Sequence, residues 1–152
     1  MSDFEVKNGV LVGYHGSDEH VIIPGEVREI DESVFLGQEG MSKVTIPEGV
    51  KVIGSSAFAD CIELVDIDFP STLITIKAQA FYNSGIRSIV LPRGLRSIGW
   101  AALGGCDFLQ KIAYRGTVAE FQKVEIDSYI INSYTKAKEV QCSDGSVTLN
   151  EC

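Results

Sequence analysis

The chain has 152 residues, of which 45% are hydrophobic and 22% charged, so it is long enough for one folded domain and unlike a disordered chain. Its formal net charge of −8, from 21 acidic and 13 basic residues, argues against nucleic acid as a partner because a polyphosphate backbone would be repelled. No apolar run reaches the roughly 18 residues of a membrane span, so membrane insertion is not expected.

The beginning of the chain lacks the basic and apolar regions of an export signal. The sequence as it stands therefore predicts a cytoplasmic protein. The alternative is a secreted or cell-surface protein, which applies if an upstream signal has been removed.

The first predicted element is an N-terminal cap over residues 1–20. Two segments of strand-like sequence, residues 4–6 and 10–14, flank the pair Asn8-Gly9. Because this pair tolerates the positive φ angles of a type I′ turn, the pattern predicts a β-hairpin. Such a hairpin would cover the apolar end of whatever follows it.

A repeat of 22 to 23 residues follows over residues 21–114 and comprises four copies and a partial fifth. The spacings between the prolines are 23, 23 and 22 residues, and the prolines are Pro24, Pro47, Pro70 and Pro92. Apolar residues recur three and six positions after each proline, and in most copies a small and then a large residue stand ten and eleven positions after it. The fifth copy begins at residue 112, and Arg115 replaces its proline.

One such unit is too short to enclose its own apolar side chains, so the units must stack and share a core. The alternation over residues 44–46 predicts a short strand, and successive copies of it should pair in parallel. Residues 50–53 predict a second short strand or extended edge. The stretch over residues 57–61 predicts a single 3₁₀ or α turn. The expected fold is an elongated, β-rich solenoid.

A C-terminal cap is predicted over residues 115–152, because an open solenoid exposes an apolar coil at its end. A capping box at residues 117–120 predicts a short helix that includes Phe121 and Val124. The remaining expectations are a helical or irregular stretch over residues 129–134 and a closing hairpin over residues 140–149. The whole chain is thus expected to form a single domain, residues 1–152.

The repeat resembles the BspA-like (Treponema pallidum-type) subfamily of leucine-rich repeats over residues 21–114. The residues that carry the resemblance are Ile46-Pro47, Val50, Ile53-Gly54, Ala57-Phe58, Cys61 and Leu64, and again Leu91-Pro92, Leu95, Ile98-Gly99 and Leu109. The tail segments 114–121 and 142–145 are similar to the closing segment of bacterial members. The resemblance implies a right-handed leucine-rich-repeat solenoid and a surface or adhesion protein that binds host or matrix proteins. Departures from the pattern are Gln38 and Ser84 in place of the repeat cysteine and Leu103 in place of phenylalanine.

No residue pattern predicts catalysis. Cys61 and Cys106 occupy the same repeat position two coils apart, which exceeds the roughly 7 Å Cα limit for a disulfide, so buried thiols are expected. Cys142 and Cys152 lie in the tail and are predicted either to pair or to stay free. Neither a zinc-binding spacing of cysteine or histidine nor a phosphate-binding glycine pattern is present. We therefore expect no enzyme activity, no metal and no cofactor.

Two carboxylates, Asp66 and Asp68, lie two residues apart on one predicted strand and should point to the same side. They could begin a cation site, but solvated carboxylates on an exposed strand are the favoured interpretation. Trp100 stands where other copies have polar or small residues. It is predicted to be partly exposed and either to anchor a partner or to pack under the C-terminal cap.

The exposed face of the predicted parallel strands is the expected binding surface. Its two columns of side chains are Ile22, Thr45, Asp68, Val90 and Ala113, and beside them His20, Lys43, Asp66, Ser88 and Lys111. Such a shallow, mixed face suits a protein or peptide better than a small molecule. The sequence therefore predicts a non-catalytic protein-binding module, with a structural or self-associating repeat unit as the alternative.

Overall fold

The structure is a computed structural model that describes residues 2–127 and 129–149. Within these residues it has fourteen short strands and one short helix. In chain order they are β1 (Phe4–Lys7), β2 (Val10–Tyr14), β3 (His20–Ile22), β4 (Glu29–Ile30), β5 (Lys43–Thr45), β6 (Val52–Ile53), β7 (Asp66–Asp68), β8 (Thr75–Ile76), β9 (Ser88–Leu91), β10 (Ser97–Ile98), β11 (Lys111–Tyr114), α1 (Val118–Phe121), β12 (Glu125–Ile126), β13 (Glu139–Cys142) and β14 (Gly145–Thr148).

The strands form the two walls of a solenoid. One wall is a seven-stranded sheet in the order β1-β2-β4-β6-β8-β10-β12. The other wall consists of a sheet β3-β5-β7 followed by a sheet β14-β13-β11-β9. Pairing between coils is parallel throughout the described strands, and only the terminal hairpins β1–β2 and β13–β14 are antiparallel. The parallel ladder expected from the proline spacing is therefore confirmed, and with it the leucine-rich-repeat solenoid.

One continuous apolar core runs through the coils, from Leu11 to Leu149. Its most regular part is a column of phenylalanines from successive repeats. The rings of Phe35 and Phe58 stack at 5.0 Å and those of Phe58 and Phe81 at 5.3 Å, with interplanar angles of 6° and 5°. The small-large pair seen in the sequence thus places one ring directly over the next in three successive coils, and Leu103 takes the ring's position in the fourth.

Both ends are capped largely as the sequence predicts. Asn8 and Gly9 have φ angles of 52° and 79°, the positive values that the hairpin turn needs. At the other end the capping box of Thr117 and Glu120 opens α1, and the closing hairpin forms. The prediction that this helix includes Val124 is wrong. The helix ends at Phe121 because the chain must turn there to begin β12 beside β10. Residues 129–134 are irregular.

The prediction of a 3₁₀ or α turn over residues 57–61 is wrong in detail. The chain makes successive β-turns here, with Ser56 and Asp60 at φ angles of 56° and 57°. The physical reason lies in the backbone hydrogen bonds. Phe58 N donates to Ala80 O in the next coil at 2.7 Å, and Asp60 N likewise donates to Tyr82 O, so alternate donors of this stretch bind between coils and are not available for a helical turn.

The third full coil, which runs from Pro70 to Pro92, is one residue shorter than the two coils before it. Where the preceding coil has four residues from Cys61 to Leu64, this one has only Ser84-Gly85-Ile86. Immediately after this short turn the ladder is interrupted, since β7 and β9 lie side by side but belong to different sheets. The shortened coil therefore leaves a seam in one wall of the solenoid.

Candidate functional site

The strand face predicted from the sequence is present, and its strands pair in register on each side of the seam between β7 and β9. Ile22 pairs with Thr45, which pairs with Asp68, and beyond the seam Val90 pairs with Ala113. The second column is aligned in the same way, with His20, Lys43 and Asp66 on one side of the seam and Ser88 and Lys111 on the other. The sequence analysis did not include Gln141, which pairs with Ala113 and extends the first column.

Most side chains of this face are exposed, and Lys43, Thr45 and Ala113 are half-buried, because alternate strand residues point away from the core. Ile22 is 62% exposed and Val90 is 41% exposed, whereas the preceding residue of each strand, Val21 or Ile89, is buried. Two polar contacts cross neighbouring strands. His20 Nε2 lies 2.8 Å from Thr45 Oγ1, and Lys43 Nζ lies 3.6 Å from a carboxylate oxygen of Asp68.

The two aspartates of β7 share this one lysine. Lys43 Nζ lies 3.8 Å from Asp66 and 3.6 Å from Asp68. Both carboxylates are exposed, and the described residues contain no group of three or more histidine, cysteine, aspartate or glutamate side chains able to hold a metal ion. The geometry therefore places both exposed carboxylates beside the ammonium group of Lys43.

Trp100 does not join the strand face. It follows β10, which belongs to the opposite wall, and it is 45% exposed. The prediction of partial exposure is confirmed. A partner that used both Trp100 and the strand face would have to reach around the solenoid.

A cleft of about 440 Å³ opens on the strand face at the seam between β7 and β9. The sequence analysis identified four of its lining residues, which are Asp66, Asp68, Ser88 and Val90. It missed others that follow the strands, namely Glu48, Phe69, Ser71, Arg93 and Arg115. Their common signal is their position: they lie just before, at or just after the repeat proline, so they collect at one end of the strands.

Fixed polar contacts hold two of the charged groups at this end. Glu48 accepts hydrogen bonds from the backbone N and the hydroxyl of Ser71 in the next coil, at 2.9 and 2.8 Å, and these bonds lower the pKa of its carboxyl. Arg93 donates two hydrogen bonds to Glu120, at 2.8 and 2.9 Å. This pairing lowers the pKa of Glu120 to about 2. Both carboxylates are therefore ionised near neutral pH.

The cysteines of the repeats are structural. Cys61 is buried and its thiol donates to the Phe35 carbonyl oxygen at 3.0 Å, and burial raises its pKa to about 12. Cys106 makes the equivalent bond to Phe81, also with a raised pKa caused first by burial. Both thiols are buried, as the sequence predicts, and burial with a raised pKa disfavours the reactive thiolate form. The predicted alternatives for Cys142 involve Cys152, which lies outside the described residues.

Comparison with solved structures supports the fold. The crystal structure of the pneumococcal vaccine antigen PcpA matches with a TM-score of 0.79 at 24% identity over 95% of this chain and 35% of its own. A Treponema pallidum leucine-rich-repeat protein matches with a TM-score of 0.65 at 26% identity, over 81% of this chain and 62% of its own. A Bacteroides ovatus leucine-rich-repeat protein matches with a TM-score of 0.65 at 27% identity, over 80% of this chain and 30% of its own. This chain therefore spans less than two thirds of each of these proteins.

In the described parts of the chain no helix is long and apolar enough to cross a membrane. None of the curated proteins compared matches the sequence. The model of the BspA-type leucine-rich-repeat region, which comprises six copies, matches residues 14–127. Together with the stacked coils and the aligned strand face, this match shows that the chain belongs to the family of BspA-type leucine-rich-repeat proteins.

Proposed function

We propose that the chain is a non-catalytic module that binds another protein through its exposed strand face. The observation that carries the proposal is the alignment of two columns of exposed side chains in register along the solenoid. On each side of the seam the strands that hold these columns are joined by backbone hydrogen bonds, so each part of the face is preorganised and little backbone entropy is lost on binding. An extended partner could contact several coils at once.

The chemistry of the face favours a macromolecule. Isolated apolar side chains such as Ile22 and Val90 alternate with charged ones, a mixture typical of the surfaces that bind proteins. Two charged groups near the cleft, Glu48 and Arg93, are held by hydrogen bonds to neighbouring coils. Adhesion to host or matrix proteins, which the family resemblance implies, is one form that this binding could take.

A peptide-display experiment tests the proposal. Random peptides would be selected on the immobilised chain, and the enriched peptides would be measured by titration calorimetry against the wild type and a double variant, Asp68→Lys with Val90→Glu. We expect affinity to fall at least about tenfold in this variant, because the charge is reversed at one central position of the face and a charge is added at another.

The matched control is Glu32→Lys with Leu36→Glu, which makes the same charge changes at exposed residues that follow β4 on the opposite wall. Its affinity for the selected peptides should stay within about twofold of the wild type, as for a surface change away from the contact. Selected peptides that bind the strand-face variant normally but lose affinity for the control would place recognition elsewhere and contradict the proposal.

Self-association is the second candidate, and one observation favours it. Ile126 of β12, the last strand of the seven-stranded wall, is 36% exposed, although the equivalent Ile98 and Ile76 are only 2% exposed. The C-terminal cap therefore leaves part of the last coil uncovered. Light scattering of the wild type and of the variants Ile126→Glu and Trp100→Ala measures the oligomeric state directly. A wild type that stays monomeric at high concentration eliminates the candidate.

A further inference from the structure

The two walls of the solenoid end at different levels along its axis. At the N-terminal end the seven-stranded wall extends two strands, β1 and β2, beyond β4, whereas the other wall begins with β3 in the same coil as β4. At the C-terminal end the seven-stranded wall stops at β12, whereas the other wall extends two strands, β13 and β14, beyond β11 of the same coil. Each end is therefore a step, and a different wall overhangs at each end.

One shift along the axis fits both steps to a second copy. The described part of the chain has seven strands in each wall, since the sheets β3-β5-β7 and β14-β13-β11-β9 together make up the second wall. Shifting a copy by seven strand positions, about 34 Å at a spacing of about 4.8 Å, places its β1 beside β12 and its β3 beside β14. The two overhangs then fill the two gaps. A second copy therefore continues both walls at once, which a single added strand from another protein could not do.

The outer edge of β14 has unpaired backbone groups. Leu149 N donates to Lys138 O at 2.7 Å, so in the alternating pattern of an antiparallel pair Ser146 and Thr148 direct their N–H and C=O groups away from β13. No described residue bonds to these outward groups. The strand also contains no proline and no charged residue, the devices that commonly keep an edge from pairing. β14 is therefore an open edge.

The outer edge of β3 is open in the same way. Ile23 N donates to Thr45 O at 3.1 Å, so His20 and Ile22 direct their backbone N–H and C=O groups away from β5. No described residue bonds to these groups either. Both ends of the wall that carries the strand face thus offer backbone donors and acceptors to a further strand.

The seven-stranded wall also ends in two incompletely covered edges. In β12 Asp127 N donates to β10 at 3.0 Å, so the preceding Ile126 directs its backbone groups away from β10. In β1 Lys7 belongs to the bonded pair that closes the hairpin turn, so the preceding Val6 directs its backbone groups away from β2. Val6 packs against the core but is only half-buried, and Ile126 is partly exposed. Contact between these two edges would cover an apolar side chain on each side.

Strand direction and side-chain alternation agree with this arrangement. β14 runs antiparallel to β13, and β1 runs antiparallel to β2. In a copy that keeps the same orientation along the axis, β3 therefore meets β14, and β1 meets β12, as antiparallel neighbours. With Val147 opposite Val21, the outward backbone groups of β14 and β3 face each other, and both valines point towards the core. Ser146 then lies opposite Ile22 on the outer side.

The distribution of charge favours contact between unlike ends. Residues 1–76 contain 14 acidic and four basic residues, a net charge of −10, whereas residues 77–152 contain seven acidic and nine basic residues, a net charge of +2. Because sequence order is also axial order in a solenoid, the N-terminal half is strongly acidic. Two N-terminal ends would repel each other, whereas an N-terminal end and a C-terminal end would attract.

We propose that copies of this chain join head to tail, with β14 of one copy paired to β3 of the next and β12 paired to β1. The contact uses different surfaces on the two copies, so it repeats along an open-ended row. The strand face continues from one copy to the next. This inference rests on self-association, the second candidate function, and is independent of whether the strand face binds another protein.

Disulfide trapping tests the pairing of β14 with β3. The background carries Cys142→Ser and Cys152→Ser, and the single variants Ser146→Cys and Ile22→Cys are mixed under mild oxidation. We expect a covalent dimer of the two variants, because directly opposite residues of an antiparallel pair lie about 5.5 Å apart, within the disulfide limit of about 7 Å. The matched control is Thr45→Cys in place of Ile22→Cys. Thr45 lies in the same column one strand further from the edge, at about 10 Å, and should not be trapped.

Light scattering of the full chain measures the association itself. At about 1 mM the average mass of the wild type should exceed that of one chain, because even a millimolar dissociation constant gives substantial association at this concentration. Ser146→Pro removes an outward N–H that β13 does not use, so it should weaken association at least about fivefold, whereas Ser146→Ala keeps the N–H and should associate like the wild type. Circular dichroism shows whether each variant is folded. Ile126→Glu, which adds a charge at the edge of β12, gives a second test should Ser146→Pro unfold the chain.

Three results would overturn the inference. They are a wild type that stays monomeric at about 1 mM, equal association of folded Ser146→Pro and Ser146→Ala, and trapping of like ends, seen as covalent dimers of Ser146→Cys alone or Ile22→Cys alone. Like-end trapping would leave self-association standing in another geometry. Display-selected peptides report on strand-face binding separately, so peptide binding by a monomeric wild type would refute only the head-to-tail contact.

Discussion

Removing one ring from the phenylalanine column should destabilise the whole solenoid. Phe58 is completely buried and stacks on Phe35 at 5.0 Å and on Phe81 at 5.3 Å. Truncating a core phenylalanine to alanine costs about 3–5 kcal/mol, and loss of two stacked partners places this position in the upper part of that range. We therefore expect Phe58→Ala to lower the free energy of unfolding by about 4–5 kcal/mol.

Urea unfolding followed by circular dichroism measures this change. With a slope of about 2 kcal/mol per molar urea, the midpoint should fall by about 2 M. Phe58→Leu should cost only about 1–1.5 kcal/mol, since it conserves most of the apolar volume and the same column already contains Leu103. The control is Phe108→Ala, because Phe108 is 63% exposed and its removal should change stability by less than about 0.5 kcal/mol.

Similar unfolding midpoints for Phe58→Ala and Phe108→Ala would contradict this prediction. Such a result would mean that the rings of successive coils do not share one packed interior. A large loss in the Phe58→Ala variant with an unchanged slope would indicate that the remaining coils still unfold together.

Further predictions concern the backbone, one ion pair and the thiols. Gly54→Ala should destabilise the chain by about 1–3 kcal/mol, because a Cβ at this position would lie 2.7 Å from three backbone atoms of the preceding coil. Gly25→Ala should leave stability unchanged, because the space around Gly25 is open. Thermal unfolding of both variants measures the difference. The pKa of Glu120 is about 2 in the folded chain against 4.5 ordinarily, so the unfolded state takes up its proton first as the pH falls. The melting temperature of the wild type should therefore drop more between about pH 5 and pH 2 than that of Glu120→Gln. If the melting temperatures of the two proteins fall in parallel with pH, the ion pair of Glu120 does not contribute in this way. Cys61 and Cys106 are buried and have raised pKa values, so both thiols should resist maleimide at pH near 8 until urea unfolds the chain. Peptide mapping by mass spectrometry shows which cysteines are labelled. Rapid labelling of either thiol in the folded chain would contradict the prediction.

Much of the fold follows from the repeat in the sequence. The proline spacing predicts the parallel ladder, and the period-two alternation predicts which residues of β5 and β7 point outward. The alignment of the two columns on each side of the seam therefore follows from the sequence, whereas their role in binding stays a prediction. The Asn8-Gly9 turn and the capping box were also recognisable, because each rests on local chemistry that a few neighbouring residues determine.

The turns and the cleft were harder to predict because they depend on contacts between coils. Helical and β-turn conformations of residues 57–61 differ in whether Phe58 N binds within its coil or to the next one, and hydrophobic periodicity does not distinguish these. The spacing of 22 residues before Pro92 was visible in the sequence, but its effect on the pairing of β7 with β9 was not. Arg115 stood out only as a replacement for proline, with no sign that it borders a cleft.

The central claim is that the coils stack in parallel register and thereby hold the strand face in place. Nuclear magnetic resonance couplings transmitted through hydrogen bonds test it most directly, since they identify each donor with its acceptor. The structure predicts a coupling from the amide nitrogen of Ile46 to the carbonyl carbon of Asp68, and one from Gly54 to Ile30. Couplings that link each strand to an antiparallel neighbour in its own repeat, in place of the strand one coil away, would contradict the account.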